Sequence, residues 1–265
     1  MDDREVGKYW DGNAAAWTAL SRAGYDVCRD AFNTPAFLTF LPEVAGLRGL
    51  DVGCGEGHNT RLVAARGARM TAFDLAPSFV TSAAGMGSGP PAVHYAVASA
   101  LALPFGDATF DFAVSFMCLM DCCDKDQALR EAARVLTPGG FFQFSIIHPC
   151  FNTPVREWVR DENGAKVGLA VRDYFRETDG DVEEWIFNSA PEECKNRYPK
   201  FKIPFFHRPL SSWLNAIAAA GFSLEAAQEP VPDAAALARR PDLYDAAIAP
   251  FYIHFRCRKP AGDQP

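Results

Sequence analysis

Leu50-Asp51-Val52-Gly53-Cys54-Gly55-Glu56-Gly57, running on into His58-Asn59-Thr60-Arg61-Leu62, is the stretch that decides the fold. A short apolar run over residues 47–52 passes into three glycines. A helical stretch follows and stops at Gly67, a C-terminal signal. A strand that feeds a helix through glycines leaves backbone N–H groups at the helix start facing outward, and glycine lets a ligand approach with no Cβ in the way.

The rhythm set by this unit continues downstream. Residues 69–73 read as a strand ending at Asp74, 77–84 as a short helix, 92–98 as a strand and 110–116 as a buried strand. Residues 124–136 read as a helix, with Asp124 as N-cap and Gln127 completing a capping box. Pro138-Gly139-Gly140 reads as a turn and 141–147 as another apolar strand. This alternation predicts a parallel sheet with helices on both faces. Upstream, residues 4–41 look helical in two pieces. Val6, Trp10 and Trp17 recur near helical spacing in the first, and the second runs over 26–41 with a break at Pro35. From 149 to 209 the alternation stops in an aromatic-rich stretch, read as an insertion long enough to need a core of its own. Residues 210–220 return to helix before Gly221. Residues 223–228 and 251–258 supply two closing strands, with one or two short helices between them.

Composition narrows the class of protein. Of the 265 residues 49% are hydrophobic and 22% charged, ordinary values for a globular chain. The net charge of -7 argues against a partner such as nucleic acid, which asks for a basic face. No run approaches the roughly 20 apolar residues of a membrane span. Met1-Asp2-Asp3-Arg4-Glu5 lacks the basic start of a secretory signal, so a cytoplasmic location is expected. The 8 cysteines form no C-x-x-C pair and read as reduced thiols. One gathering, Cys122, Cys123, His148 and Cys150, is a conceivable metal set, but no metal is expected. There is no internal repeat and no low-complexity tract.

Spacing separates the possible ligands of the glycine turn. A dinucleotide fingerprint, G-x-G-x-x-G, would place its third glycine at position 58. That position is His58, and the third glycine is Gly57. Residues 50–57 instead resemble the first motif of the class I S-adenosylmethionine-dependent methyltransferases. Ala72-Phe73-Asp74-Leu75-Ala76-Pro77, residues 99–111 and Arg134-Val135-Leu136-Thr137-Pro138-Gly139-Gly140 extend the resemblance over about 45–148 and the closing strands. It implies a doubly wound α/β fold with a mostly parallel seven-stranded sheet and S-adenosylmethionine as cofactor. It further implies a helical lid over 1–45, a cofactor-binding core over 46–148, a substrate-cap insertion over 149–209 and the rest of the core over 210–265.

The same resemblance assigns residues. Gly53, Cys54, Gly55 and Gly57 wrap the methionine half of the cofactor, and Asp51 contacts its amino group. Asp74 accepts the ribose hydroxyls, although an Asp there also serves as a helix cap or turn residue. Leu75 and Phe116 join the cofactor set. Where the family carries an acid that meets the adenine amino group this chain has Ser99, leaving the contact to its hydroxyl and to the Ala100 backbone. Arg61 is a candidate partner for the cofactor carboxylate, or a solvated surface charge.

The sulfonium methyl is already an activated electrophile, so the protein's task is positioning and exclusion of water, with a base where the acceptor must lose a proton. Ligands of open α/β sheets lie beyond the carboxyl ends of the strands. Residues 116–121 and His148 therefore face the methyl group. His148 is a candidate general base or a structural strand-end histidine, and His207 is a second candidate base. His58, His94 and His254 read as packing. Tyr9, Trp10 and Trp17, joined by Tyr25 and Arg29, resemble a lid over the acceptor, though the same stripe serves to dock a helix. Of the insertion aromatics Trp158, Tyr174, Phe175 and Trp185, one or two are expected to touch substrate, and Trp185 is placed in the substrate set with Tyr9, Trp10, Trp17, Tyr25 and His148. The expected function is metal-independent methyl transfer to a small aromatic or heteroaromatic molecule by a monomer or homodimer. Two competing readings are a cofactor-binding regulatory protein of the same fold without turnover and a nicotinamide oxidoreductase, the latter disfavoured by the position of Gly57.

Overall fold

A computed structural model describes residues 1–87 and 92–262. Helix α1 (Asp3–Arg22) opens on a capping box: Asp2 accepts the Glu5 N–H while the Glu5 side chain accepts the Asp2 N–H. A π-helical turn (Arg29–Asn33) leads into α2 (Thr34–Phe40). Pro35 does not break this segment as expected. It sits in the first turn of α2, and the irregularity is the π turn before it. Pro35 has no N–H to donate four residues back, so the ladder is already open there.

The alternation then runs β1 (Arg48–Val52), α3 (His58–Ala64), β2 (Arg69–Asp74), α4 (Pro77–Ala84), β3 (Val93–Val97), β4 (Phe110–Phe116), α5 (Lys125–Val135) and β5 (Leu136–Ile147). Two details differ from the sequence reading. β5 starts at Leu136, which pairs with Phe110, so the Pro138-Gly139-Gly140 turn lies inside the strand as an irregularity. The α5 cap is one-sided: Asp124 accepts the Gln127 N–H, but the Gln127 side chain donates to the Leu101 carbonyl instead of reaching back.

The aromatic stretch forms β6 (Val155–Arg160), β7 (Lys166–Arg172), β8 (Asp181–Trp185), α6 (Glu192–Arg197) and β9 (Phe201–Phe205). β6 pairs with β7 and β8 with β9, giving two antiparallel ribbons outside the main sheet. The chain closes with α7 (Leu210–Ala219), β10 (Ser223–Gln228), α8 (Ala234–Arg239), α9 (Asp245–Ile248) and β11 (Tyr252–Arg258).

Seven strands form one sheet in the order β3-β2-β1-β4-β5-β11-β10. β11 is antiparallel to β5 and β10 antiparallel to β11, while the other neighbours are parallel. Parallel strands covered on both faces read as continuous apolar runs, and β1, β4 and β5 are buried along most of their length. Leu50, Phe142 and Phe144 pack with Leu129 of α5 and Trp213 of α7 on one face. Met70, Phe112 and Val114 pack with Phe37 of α2 and Val63 of α3 on the other.

The β8–β9 ribbon does not carry the separate core that the sequence suggested. Phe187, Ala190, Phe201 and Ile203 pack with Ala16 and Leu20 of α1, around the Trp17 ring. A two-stranded ribbon has too little apolar surface to stand alone, and the stripe of α1 supplies the missing face. The strand order reverses between β1 and β4, which opens a crevice at their carboxyl ends.

Candidate active site

A cavity of about 790 Å³ fills this crevice. Its floor is the glycine turn after β1. Gly53 stands at φ +74°, and a Cβ there would lie 2.0 Å from Cys118 Sγ, so only glycine fits. The Gly53 and Cys54 N–H groups donate to the Phe73 carbonyl, and Gly55 N–H donates to Asp74 Oδ2 at 2.8 Å. Asp74 Oδ1 accepts the Ala76 N–H at 2.9 Å. Burial pushes the Asp74 carboxyl up to about 6 against these hydrogen bonds.

Asp51 lies deeper in the same wall. Its Oδ2 accepts the Thr60 hydroxyl at 2.6 Å, while Oδ1 is buried without a partner. Burial pushes Asp51 up to about 7, helped by the charge of Asp74 and opposed by Thr60. A partnerless buried carboxylate oxygen in a cavity wall marks a place where a donor is missing.

Among the other residues singled out for the cofactor, Cys54, Leu75, Ala100 and Phe116 line the cavity. Gly57 and Ser99 do not. Gly57, at φ +79°, is packed behind the turn, where a Cβ would meet Tyr95 Oη at 2.7 Å. The Ser99 hydroxyl accepts the Leu101 N–H, so its oxygen is turned along its own loop. Arg61 is also outside the wall and binds Glu56 at 3.3 Å.

The two histidines expected as bases behave differently from that expectation. His148 is 2% exposed and absent from the cavity wall. Its Nδ1 accepts the Cys150 N–H at 3.2 Å, which places the proton on Nε2, 2.8 Å from Glu229 Oε1. Both ring nitrogens have partners within the fold, which tie the end of β5 to Cys150 and Glu229. His207 does reach the wall. Its Nε2–H donates to the Tyr174 carbonyl at 2.7 Å. Burial lowers its pKa, outweighing the Tyr174 and Asn152 carbonyls that favour the charged form.

Of the expected substrate residues, Trp10, Trp17 and Trp185 line the cavity, joined by Phe187 and Phe205. Tyr9 lines instead a hollow of about 250 Å³ on the other side of α1. Tyr25 is turned toward the insertion, where its carbonyl accepts the Ser189 hydroxyl. Trp158 packs on Phe251, and Phe175 is 84% exposed. His58 is in the wall, 4.0 Å from Asp30. His94 lies in β3, and His254 is buried against Asn33. The cysteines are free thiols, and among the described residues no group of three or more His, Cys, Asp or Glu is arranged to hold a metal ion.

Glu56 in the wall was given no role by sequence, whereas Asp121 falls within residues 116–121, which were expected to face the methyl group. Glu56, 4% exposed, gathers Arg22 at 3.2 Å, Arg61 at 3.3 Å and Arg29 at 3.6 Å. Three guanidinium groups converge because α1, the π turn and α3 meet over the glycine turn. The only local signal was an acid between two glycines. Asp121 closes the run after β4, and its carboxyl is raised well above the ordinary range by burial alone. Its signal was an acid ending the apolar run 116–120. Met117, in the same loop, is held at φ +53° with its N–H on Ser145.

A doubly wound sheet in this strand order, with a glycine turn and the acid that ends β2 sharing one crevice, is an architecture suited to a nucleoside-bearing cofactor. Residues 50–144 match the family model described as "Methyltransferase domain". A crystal structure of an S-adenosylmethionine-dependent methyltransferase from Mesorhizobium loti superposes with a TM-score of 0.69 at 28% identity, covering 84% of this chain and 96% of that one. The malonyl-[acyl-carrier protein] O-methyltransferase of Pseudescherichia vulneris is 40% identical over 98 residues, 37% of this chain and 38% of that protein. O-methyltransferase cnsE of Penicillium expansum is 39% identical over 113 residues, 40% of this chain and 41% of that protein. The match thus spans about two fifths of the length of these curated relatives. Over residues 50–144 and in its sheet the chain is thus similar to the class I S-adenosylmethionine-dependent methyltransferases.

The residues present fit that cofactor. The unpartnered Oδ1 of Asp51 suits an ammonium donor, the free lone pairs of Asp74 suit hydroxyl donors, and Gly55 in the cavity wall has open space where a Cβ would stand.

Proposed function

We propose that this chain transfers a methyl group from S-adenosylmethionine to an oxygen atom of a small molecule with a planar, largely apolar body. One observation carries the reading: a single cavity runs from the glycine turn and Asp74 to the wall of Trp10, Trp17, Trp185, Phe187 and Phe205. Cofactor and acceptor subsites must be continuous for an in-line displacement, and aromatic walls suit planar acceptors.

S-adenosylmethionine brings a sulfonium methyl that is electrophilic without further activation. The chain's own residues bind, orient and exclude water. Asp51 accepts from the ammonium group and Asp74 from the ribose. Arg29 lies in the wall, fixed by Asp30 at 2.7 Å and Glu56 at 3.6 Å, and is proposed to meet the cofactor carboxylate. Ala98 and Ala100 line the cavity and are assigned to the adenine side. Helix α1 acts as the lid, since its tryptophans pack on the β8–β9 ribbon and on Phe79 of α4 at once. Neither His148 nor His207 is assigned proton removal, and no step of this reading calls on a metal ion. The two O-methyltransferase relatives support oxygen as the acceptor atom.

Isothermal titration with S-adenosylhomocysteine tests the cofactor half, with micromolar binding expected. Transfer of label from methyl-labelled cofactor to a panel of phenols tests the acceptor half. No heat with S-adenosylhomocysteine, or binding of NAD in its place, sinks the proposal.

A further inference from the structure

The charge of the cavity wall is uneven. It holds eight carboxyl groups and three arginines. Each arginine already has an acidic partner: Arg29 has Asp30 and Glu56, Arg156 has Glu183 at 3.5 Å, and Arg208 has Asp179 at 2.8 Å. Asp51 and Asp74 are spoken for by the cofactor under the reading above. Asp121 has neither an ion pair nor a side-chain hydrogen bond among the described residues. It lies in the short 3₁₀ turn Leu119–Asp121, and Met120 and Trp213 line the same cavity. Asp3, at the start of α1, is a second wall carboxylate without a basic partner among the described residues.

We propose that the acceptor is an amine-bearing molecule whose ammonium group is seated on Asp121, and that this carboxylate excludes anionic acceptors. The inference rests on the methyltransferase reading and names the substrate class for it. A desolvated carboxylate with no partner is costly, and the cost is relieved when a cation arrives with the ligand. Aromatic faces in the same cavity add cation–π attraction for an ammonium group, whereas among the described residues each arginine of the wall already has an acidic partner that an anionic acceptor would have to compete with. Burial raises the Asp121 carboxyl, and a cation seated beside it would favour the ionised form.

The experiment uses the full chain saturated with S-adenosylhomocysteine and three probes of one shape: tyramine, 4-hydroxyphenylethanol and 4-hydroxyphenylacetate. Calorimetry of S-adenosylhomocysteine alone comes first, so a failure of the methyltransferase reading shows before any probe is added. Tyramine is then expected to bind at least about tenfold more tightly than the neutral probe, with 4-hydroxyphenylacetate weakest, as desolvated charge pairs do. Asp121→Asn is expected to remove that ranking while leaving S-adenosylhomocysteine binding unchanged. Asp121→Ser serves as a second variant if Asn misfolds, with melting temperature reporting the fold. Equal binding of the three probes, preference for the anion, no tyramine binding at millimolar concentration, or an unchanged ranking in both variants overturns the proposal.

Discussion

The main-chain N–H of Gly55 donates to Oδ2 of Asp74 at 2.8 Å, tying the turn after β1 to the end of β2. The acid that is proposed to hold the ribose therefore also shapes the turn that is proposed to hold the methionine. With Oδ1 on the Ala76 N–H, one carboxylate organises three segments of the site.

Asp74→Ala removes both backbone hydrogen bonds and the ribose acceptor. Charge-assisted hydrogen bonds contribute about 1.5–3 kcal/mol each. S-adenosylhomocysteine affinity should fall at least about tenfold by calorimetry, with a lower melting temperature. Unchanged affinity would remove Asp74 from the cofactor site.

Gly53→Ala places a Cβ 2.0 Å from Cys118 Sγ at a φ of +74°. Overpacking and backbone strain together should cost about 2 kcal/mol or more and weaken cofactor binding. Cys118→Gly in the same chain should recover part of the melting temperature by relieving the clash, but not the share due to φ. Full recovery would show that strain at this turn is negligible.

Asp51 and Asp74 set a pH dependence whose sign can be worked out. In the unfolded chain each carboxyl titrates near 3.8, and in the fold they titrate at about 7 and about 6. The folded state thus binds more protons between these values. These two groups favour the fold most below pH 3.8, and that contribution is lost as pH rises toward 7. Cofactor binding runs the other way, because the ionised forms accept its donors. The rise in melting temperature caused by S-adenosylhomocysteine should be largest above pH 7 and shrink as pH falls below about 6. A pH-independent rise would contradict the assignment of both acids.

His148→Ala should act on stability and not on chemistry. It leaves the Cys150 N–H without its acceptor and opens a void at the end of β5, a cost of about 1–3 kcal/mol. Denaturant melts should show that loss, while the turnover of the remaining folded protein stays within a few-fold. A hundredfold loss of turnover at unchanged stability would restore His148 as the base.

Trp17→Ala removes the ring that α1 shares with Trp185, Phe187 and Phe201. Loss of a large packed ring costs roughly 3 kcal/mol. Hydrogen exchange should rise over the β8–β9 ribbon before it rises in the main sheet. Uniform loss of protection would mean that the ribbon and sheet unfold together.

The core fold was legible because its signals are local. Residues 47–67 carry strand, turn and helix in one run, and the apolar strands 69–73, 110–116 and 141–147 appear nearly where they were expected. Elements of the insertion were not legible, because β6 to β9 are short ribbons that lean on distant elements, β8–β9 on α1 and β6–β7 on α9 and Phe251. Their aromatics announce burial without saying against what.

Backbone chemistry written in consecutive residues was determined by the sequence alone: a glycine turn after β1, an acid closing β2, and the βα rhythm that forces a doubly wound sheet. Propensity and spacing act within a few residues, so these features need no distant partner. Tertiary structure alone decided which side chains face the cavity. His148 turns to Glu229, 81 positions away. Glu56 draws in Arg22 and Arg29 from across the fold, and Asp121 is left with no partner at all among the described residues. The orientation and charge state of a buried polar group are set by whatever packs beside it, and that depends on the closing of the whole chain.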